Sequence, residues 1–420
     1  MLHDAQTANM RSGDVVLFPQ SPEGDVFPRP NDSNERQRFA VIKTLLLFFS
    51  RSFGAVMSKL FLMLSLVCIA AIAASTSPLA AETTRDSINV PPVLLQMIRD
   101  SAIQSELNLA ANQLTSLREI LGEVDGPWFR ARNLKPDEQR PIVDQLTQTL
   151  ASRLDSILDP TQKARLDQLV SQALGTRMVL RENVQAKLQI NETQMQSLVD
   201  TFAQTDTQSF ELQQAVVAGE RSADEANKAI NDLKAAERES LLKILTNTQR
   251  SKIGSLTGKP FDFASVKRTY PLAPELRSEG AKWIDGTAAT LQQQRGKVVA
   301  VHFYAFQCIN CKRNLPHYTA WHNDYADKGL VVIGIQTPET SSERKFDQVR
   351  AAAKAEGINY PVMLDAESAN WKSYNTTMWP TVYLIDKEGF IRRWWQGEMN
   401  WQGTPGEQQM RTTIEALLAE

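Results

Sequence analysis

The sequence predicts a multi-domain chain: an all-α N-terminal region followed by a C-terminal α/β domain whose mixed β-sheet is flanked by helices. Three observations carry this expectation. Seven of the eight tryptophans stand beyond residue 280, whereas the stretch 83–258 has only Trp128 and is rich in Leu, Gln, Ala, Glu and Arg. Such a composition shift marks a domain boundary, placed here at a linker spanning 259–274. Before that linker apolar residues recur with a helical period; after it, β-branched runs of strand length alternate with helical patterns.

A chain of 420 residues is long enough for two or three domains with real cores. Its formal charge is -2, with basic residues scattered along the chain, so nucleic acid is not expected as a partner. Of three cysteines only Cys308 and Cys311 are placed to pair, which excludes a disulfide-stapled scaffold. The chain uses a dithiol and is not held together by several.

Residues 1–56 read as disordered, or as a mis-assigned leader ahead of a start at Met57, because Pro19, Pro22, Pro28 and Pro30 interrupt a polar run. Residues 57–81 read as a signal peptide or signal anchor: a short basic start at Met57-Ser58-Lys59, an apolar run over 60–74, then small residues up to Ala81. That run is short for a bilayer span, which favours cleavage, after Ala73, Ser75 or Ala81. Retention as an anchor is the alternative. Leu66-Val67 ahead of Cys68 does not suit a lipoprotein signal, which needs a small residue there. Either way the bulk of the chain is expected outside the cytoplasm, in the periplasm or at the outer face of the cytoplasmic membrane. A dithiol there faces an oxidising compartment.

The region 83–258 is expected to be helical and duplicated. Leu166, Leu169, Val170, Ala173 and Leu174 form an amphipathic stripe, and Leu198, Phe202, Leu241, Leu242 and Leu245 continue the theme. A short element recurs, ending in Gln113, Gln162, Gln194 and Gln249. In the last three a capping residue (Asp159, Asn191 or Thr246) stands three positions before the Gln, the pattern of a helix N-terminus. The alternating spacing suggests two copies, near 106–175 and 187–258. The element resembles the LTxxQ motif of small periplasmic helical stress proteins, although capping alone explains the letters. A spacer or dimerisation module is the plain reading, and a client-binding surface the sharper one.

Beyond the linker, in the domain spanning 275–420, strands are expected at Val298–Tyr304, 330–335, 360–364, Thr381–Ile385 and 390–395. Helices are expected at 311–328, 342–356, 366–374 and Gly406–Ala419. A tight turn from Asp386 to Gly389 joins the last two strands. Cys308-Ile309-Asn310-Cys311 falls where the first strand feeds the first helix. A thiolate at a helix N-terminus lies near unpaired N–H groups, so its pKa falls, and Lys312 and Arg313 are expected to add positive charge. Cys311 then stands close enough to attack a mixed disulfide. The rival reading is half a zinc site completed by His317 and His322, but all four ligands would crowd onto one helical run.

With these residues in view, 275–420 resembles an exported thioredoxin-like redoxin of the TlpA type, and is especially similar to the redoxin module of DipZ-type membrane thiol reductases. The resemblance rests on CINC followed by Leu315-Pro316, Thr337-Pro338-Glu339, Tyr360-Pro361-Val362 and Trp379-Pro380 ahead of Tyr383-Leu384-Ile385-Asp386. It implies a thioredoxin-like fold, Cys308 as the attacking thiol, Cys311 as the resolving one, and Pro380 as the family's cis-proline. Trp379, Ile309 and Asn310 would border the substrate groove. Two departures stand out: Gln307 where the family often has Trp, and His302 where it often has a carboxylate. His302 is therefore a candidate base for the Cys311 proton, the alternative being a buried, hydrogen-bonded histidine.

The resemblance implies cysteine-containing protein substrates, for example in cytochrome c maturation, and a membrane thiol reductase as electron donor. No nicotinamide, flavin or metal motif appears, so no cofactor is expected beyond the dithiol itself. A peroxiredoxin-like peroxidase, a helical periplasmic chaperone or adaptor carrying a redoxin, and a copper-binding redoxin are the alternatives. A peroxidase fits poorly, since it needs a single low-pKa cysteine with Thr and Arg helpers.

Overall fold

The computed structural model describes residue 88 and residues 90–284 and 288–420. The expected leader and signal segment, Cys68 included, lie outside the described residues. The described chain forms two compact units, one from Val90–Val184 with Ser251–Glu420, the other Gln185–Arg250. This division differs from a boundary at 259–274. That stretch is irregular but pinned: the Lys267 and Arg268 amides donate to Asp100 Oδ2 at 2.8 and 2.7 Å, and the Leu272 amide to Asp125 Oδ2 at 2.8 Å. Asp125 also pairs with Arg99 at 2.6 Å, both side chains being buried.

The helical part of the first unit runs through α1 (Val93–Met97), α2 (Ser101–Glu106), α3 (Ala111–Ala131), α4 (Pro136–Ile157) and α5 (Pro160–Leu174). α6 (Glu182–Leu188) leads into the second unit, where α7 (Glu192–Val217) packs on α8 (Ala223–Ile244) before α9 (Asn247–Thr257). The capping signals act as their spacing suggests. Asp159 Oδ1 accepts the Gln162 amide at 2.9 Å and Gln162 Oε1 accepts the Asp159 amide at 3.0 Å. Asn191 with Gln194, and Thr246 with Gln249, repeat the exchange.

What sequence could not supply is where the other end of each glutamine goes. Gln113 Nε2 donates to Gln162 Oε1 at 2.6 Å, and Gln162 Nε2 returns a bond to Gln113 Oε1 at 3.0 Å. Gln194 and Gln249 form the same reciprocal pair, at 2.9 and 3.0 Å. Each pair also satisfies carbonyls at the ends of neighbouring helices, such as Ile157 O and Ile244 O. One capping amide thus becomes a half-buried bracket between two helix starts.

The C-terminal part carries a six-stranded mixed sheet in the order β1-β4-β3-β2-β5-β6. The strands are β1 (Lys282–Ile284), β2 (Val298–Tyr304), β3 (Leu330–Gln336), β4 (Val362–Leu364), β5 (Thr381–Ile385) and β6 (Ile391–Gln396). β2 runs parallel to β3, and β3 to β4; β5, β6 and β1 pair antiparallel. β2 is buried throughout, which is why it reads as one apolar run. β1 escaped sequence reading because three residues are too few to show a period. The expected helix over 342–356 begins instead as a 3-10 turn, Ser342–Arg344, before α11 (Phe346–Ala355), and α12 is the short Ala369–Ser373.

The sheet has two unlike faces. One is covered by α10 (Ile309–Tyr325) and α13 (Gly406–Ala419), with Ala300, Tyr304, Cys311, Tyr318 and Trp321 in its core. The other buries Val299, Val301, Phe303, Tyr374 and Tyr383, and here the helical region contributes Phe129 from α3. Phe129 stands edge-on to Tyr374 and Tyr383, and Arg132 donates to Tyr383 Oη at 2.8 Å.

Candidate active site

β2 ends at Tyr304, the chain turns, and Cys308 becomes the N-cap of α10. Its Sγ accepts the Cys311 amide at 3.3 Å, doing with sulfur what a capping Ser or Asp does with oxygen. Cys308 is half-buried and Cys311 fully buried; both thiols are free. The thiols are driven apart. A hydrogen bond from Cys311, aided by the Cys311 and Asn310 amides, holds Cys308 down at about 7 against burial and the nearby Glu339. Burial, then the bond to Cys308, pushes Cys311 far up. One thiolate is therefore available near neutrality, with a protonated thiol behind it.

The expected help from Lys312 and Arg313 needs correcting. Lys312 pairs with Glu356 at 3.2 Å and Arg313 with Glu398 at 3.0 Å, and neither figures in the lowering of Cys308. The helix terminus and the partner thiol do that work.

Of the expected groove residues, Ile309 is 60% exposed and Asn310 is exposed beside Cys308. The Trp379–Pro380 peptide bond is cis. Trp379 packs, like Cys308, on the margin of the α10-side core. Its ring stacks on Trp371 at 4.0 Å and its Nε1 donates to Thr337 O at 3.2 Å.

His302 lies in β2 on the face covered by α10. It is fully buried and stacks on Tyr318 at 4.1 Å. Neither ring nitrogen has a hydrogen-bond partner, so it is not the hydrogen-bonded filler that was the alternative. Burial lowers its pKa to about 3 and holds the imidazole neutral. Gly334 stands opposite it in register, and a Cβ there would lie 3.0 Å from His302 Nε2; the glycine makes room for the ring. His317 is half-buried on α10, its Nε2 3.4 Å from Asn400 Nδ2. Among the described residues no group of three or more His, Cys, Asp or Glu side chains is arranged to hold a metal.

Sequence reading missed two anchors of this site. Asn314, buried on α10, accepts the Met399 amide at 3.1 Å and donates to Gly397 O at 3.0 Å, tying the dithiol helix to the segment after β6. Glu343 reaches the loop before Cys308. Neither residue advertises itself: one is a polar letter in a helix, the other sits in the hydrophilic run Ser341-Ser342-Glu343-Arg344.

A Cys-x-x-Cys capping the first helix on a mixed, six-stranded sheet is the arrangement of a thioredoxin-like redoxin domain. Residues 273–394 match the AhpC/TSA family. Over 165 residues the chain is 36% identical to protein DipZ of Mycobacterium tuberculosis, covering 37% of this chain and 22% of DipZ. It is 33% identical over 111 residues to the thioredoxin-like protein YneN of Bacillus subtilis, covering 26% of this chain and 63% of that protein. It is 26% identical over 132 residues to the thiol-disulfide oxidoreductase YkuV of the same species, covering 31% of this chain and 87% of YkuV. The chain thus spans less than a quarter of the length of DipZ. The C-terminal third carries an AhpC/TSA-type redoxin domain and is similar to the redoxin portion of DipZ and to YneN.

Proposed function

We propose that the protein is an exported thiol–disulfide oxidoreductase that reduces disulfides in cysteine-containing protein substrates. The observation that carries the reading is the unequal dithiol: Cys308 half-exposed at the N-cap of α10, Cys311 buried behind it. In the reductive direction the Cys308 thiolate attacks one sulfur of the substrate disulfide. That S–S bond breaks, a mixed disulfide forms, and the first substrate thiolate leaves. Cys311 then attacks Cys308 Sγ, forming the intramolecular disulfide and releasing the second thiolate. The substrate gains two electrons and the dithiol loses them. Of the two protons the substrate thiolates finally take up, one comes from Cys311 and the other from solvent, since Cys308 reacts as the thiolate.

The proton of Cys311 must leave as that thiol attacks. His302 on the same side of the sheet is the proposed acceptor. Burial disfavours its conjugate acid, so any proton it takes would be held only briefly. Trp379, Pro380, Ile309 and Asn310 are proposed to border the substrate chain. A membrane thiol reductase is proposed as the donor that resets the dithiol, and maturation of cytochrome c as one process it would serve.

The test is a redox titration of the full chain, with Cys308 and Cys311 trapped by alkylation at each potential. A two-electron transition near or below about -270 mV supports a reductant fed from upstream, whereas one near about -120 mV means an oxidant. Absence of any reversible disulfide between Cys308 and Cys311 would overturn the redox reading.

A further inference from the structure

Beyond the dithiol itself, one buried acid is aimed at the active-site loop. Glu343 sits in the 3-10 turn Ser342–Arg344, yet it is 0% exposed. Its Oε1 accepts the Gln307 amide at 2.7 Å, and its Oε2 accepts the amides of Glu339 at 2.7 Å and Thr340 at 2.9 Å. Charge-assisted bonds to a carboxylate are about twice as strong as neutral ones, and burial makes each costly to lose. Gln307 immediately precedes Cys308, while Glu339 and Thr340 belong to the loop after β3. Thr340 Oγ1 adds a bond to Gln307 Oε1 at 2.9 Å, and Thr337 O holds the Trp379 ring. The loop over 337–343 therefore joins the Cys308 turn on one side to Trp379 on the other.

We propose that Glu343 is a positioning residue for the dithiol: its carboxylate fixes the turn before Cys308 so that the sulfur stays in the N-cap position of α10. This rests on the thiol–disulfide reading above. The benefit of a helix terminus fades beyond its first turn, and it is delivered here by the Cys311 amide, which reaches Cys308 Sγ at 3.3 Å, a normal length for a bond to sulfur. A turn released by loss of the Gln307 bond lets the sulfur leave that position. Around Cys308 the groups that bear on its charge are Cys311 and the Asn310 amide on α10 and Glu339 on the loop after β3. Lys312 and Arg313 are paired elsewhere, and Trp379 is uncharged. Charge and position act in opposite directions, which makes them separable. Removing a nearby negative charge alone would lower the Cys308 pKa; losing the N-cap position raises it.

The experiment follows iodoacetamide alkylation of Cys308 against pH, located by peptide mass, in the reduced full chain and its Glu343→Ala and Glu343→Gln variants. Thermal midpoints are recorded alongside. The wild-type rate is expected to reach half its maximum near pH 7. The Ala variant is expected to shift that midpoint up by about one pH unit, slowing alkylation at pH 7 about fivefold. The Gln variant, which keeps one acceptor oxygen, should fall between. A folded Ala variant with an unmoved midpoint and a lower thermal midpoint would make Glu343 structural only; a downward shift would make it a charge and no more. Should the Ala variant not fold, the folded Gln variant decides, and an unmoved midpoint there overturns the proposal. A wild-type chain that forms no reversible disulfide overturns the redox reading, and this inference with it.

Discussion

The two halves of the helical region, read here as two copies, share one device and end differently. In each, two capping glutamines clasp one another, Gln113 with Gln162 and Gln194 with Gln249, and the second long helix of each copy has 22 residues. Sixteen residues after Gln113 stands Phe129, and sixteen after Gln194 stands Phe210. Phe129 is 2% exposed against Tyr374 and Tyr383, whereas Phe210 is 60% exposed. Equivalent aromatics in equivalent helices thus have opposite fates. The glutamine bracket builds the copy, and the surface that meets the aromatic decides whether it becomes core. The first copy lies wholly in the compact unit that holds the redoxin sheet, whereas most of the second, Gln185–Arg250, forms the other unit.

The sharpest way to break this contrast is to truncate both aromatics. Phe129→Ala should cost about 3–5 kcal/mol in denaturant unfolding, since it leaves a cavity against the sheet. Phe210→Ala should stay within about 0.5 kcal/mol. Similar losses at both sites would end the distinction between the copies.

A second measurement asks whether the opposite, dithiol-bearing face carries a pH signature of its own. His302 is neutral in the folded chain down to about pH 3, while an unfolded histidine takes up its proton near 6.5. Between those values the unfolded state binds more protons, so stability falls as pH falls, by up to about 1.4 kcal/mol per pH unit. The difference between wild type and His302→Phe should therefore slope with pH from 6.5 downward and be flat above it. A parallel pair of stability curves across that window would show that His302 does not titrate on unfolding.

The smallest effect sharpens the likeness. Gln113→Ala and Gln194→Ala should each cost about 1–3 kcal/mol, because each strands buried partners of the bracket. A loss at one site only, read by unfolding of each variant, would mean that the two brackets are not the same device.

Much of the redoxin domain was legible because its signals are local. Val298–Tyr304 and Thr381–Ile385 form strands over the residues expected, and Gly406–Ala419 forms the closing helix as expected. The tight turn at Asp386 is visible in its sequence and closes with the Gly389 amide donating to Asp386 O at 2.9 Å. The strap over 259–274 looked like a linker because a shift in composition does not reveal that Asp100 and Asp125 wait to receive its amides. Lys312 and Arg313 looked like free charge because their acidic partners are Glu356 and Glu398, far along the chain.

By itself the sequence determined what neighbouring residues can settle: helix and strand periods, capping boxes, and a Cys-x-x-Cys at a strand-to-helix junction. These depend on backbone geometry over a few residues. The tertiary structure alone decided which distant groups meet. Glu343 holds an amide 36 positions away, Gln113 meets Gln162 across 49, and Phe129 is buried where Phe210 is not. Burial and pairing are properties of two opposed surfaces, and a single stretch of sequence specifies only one of them.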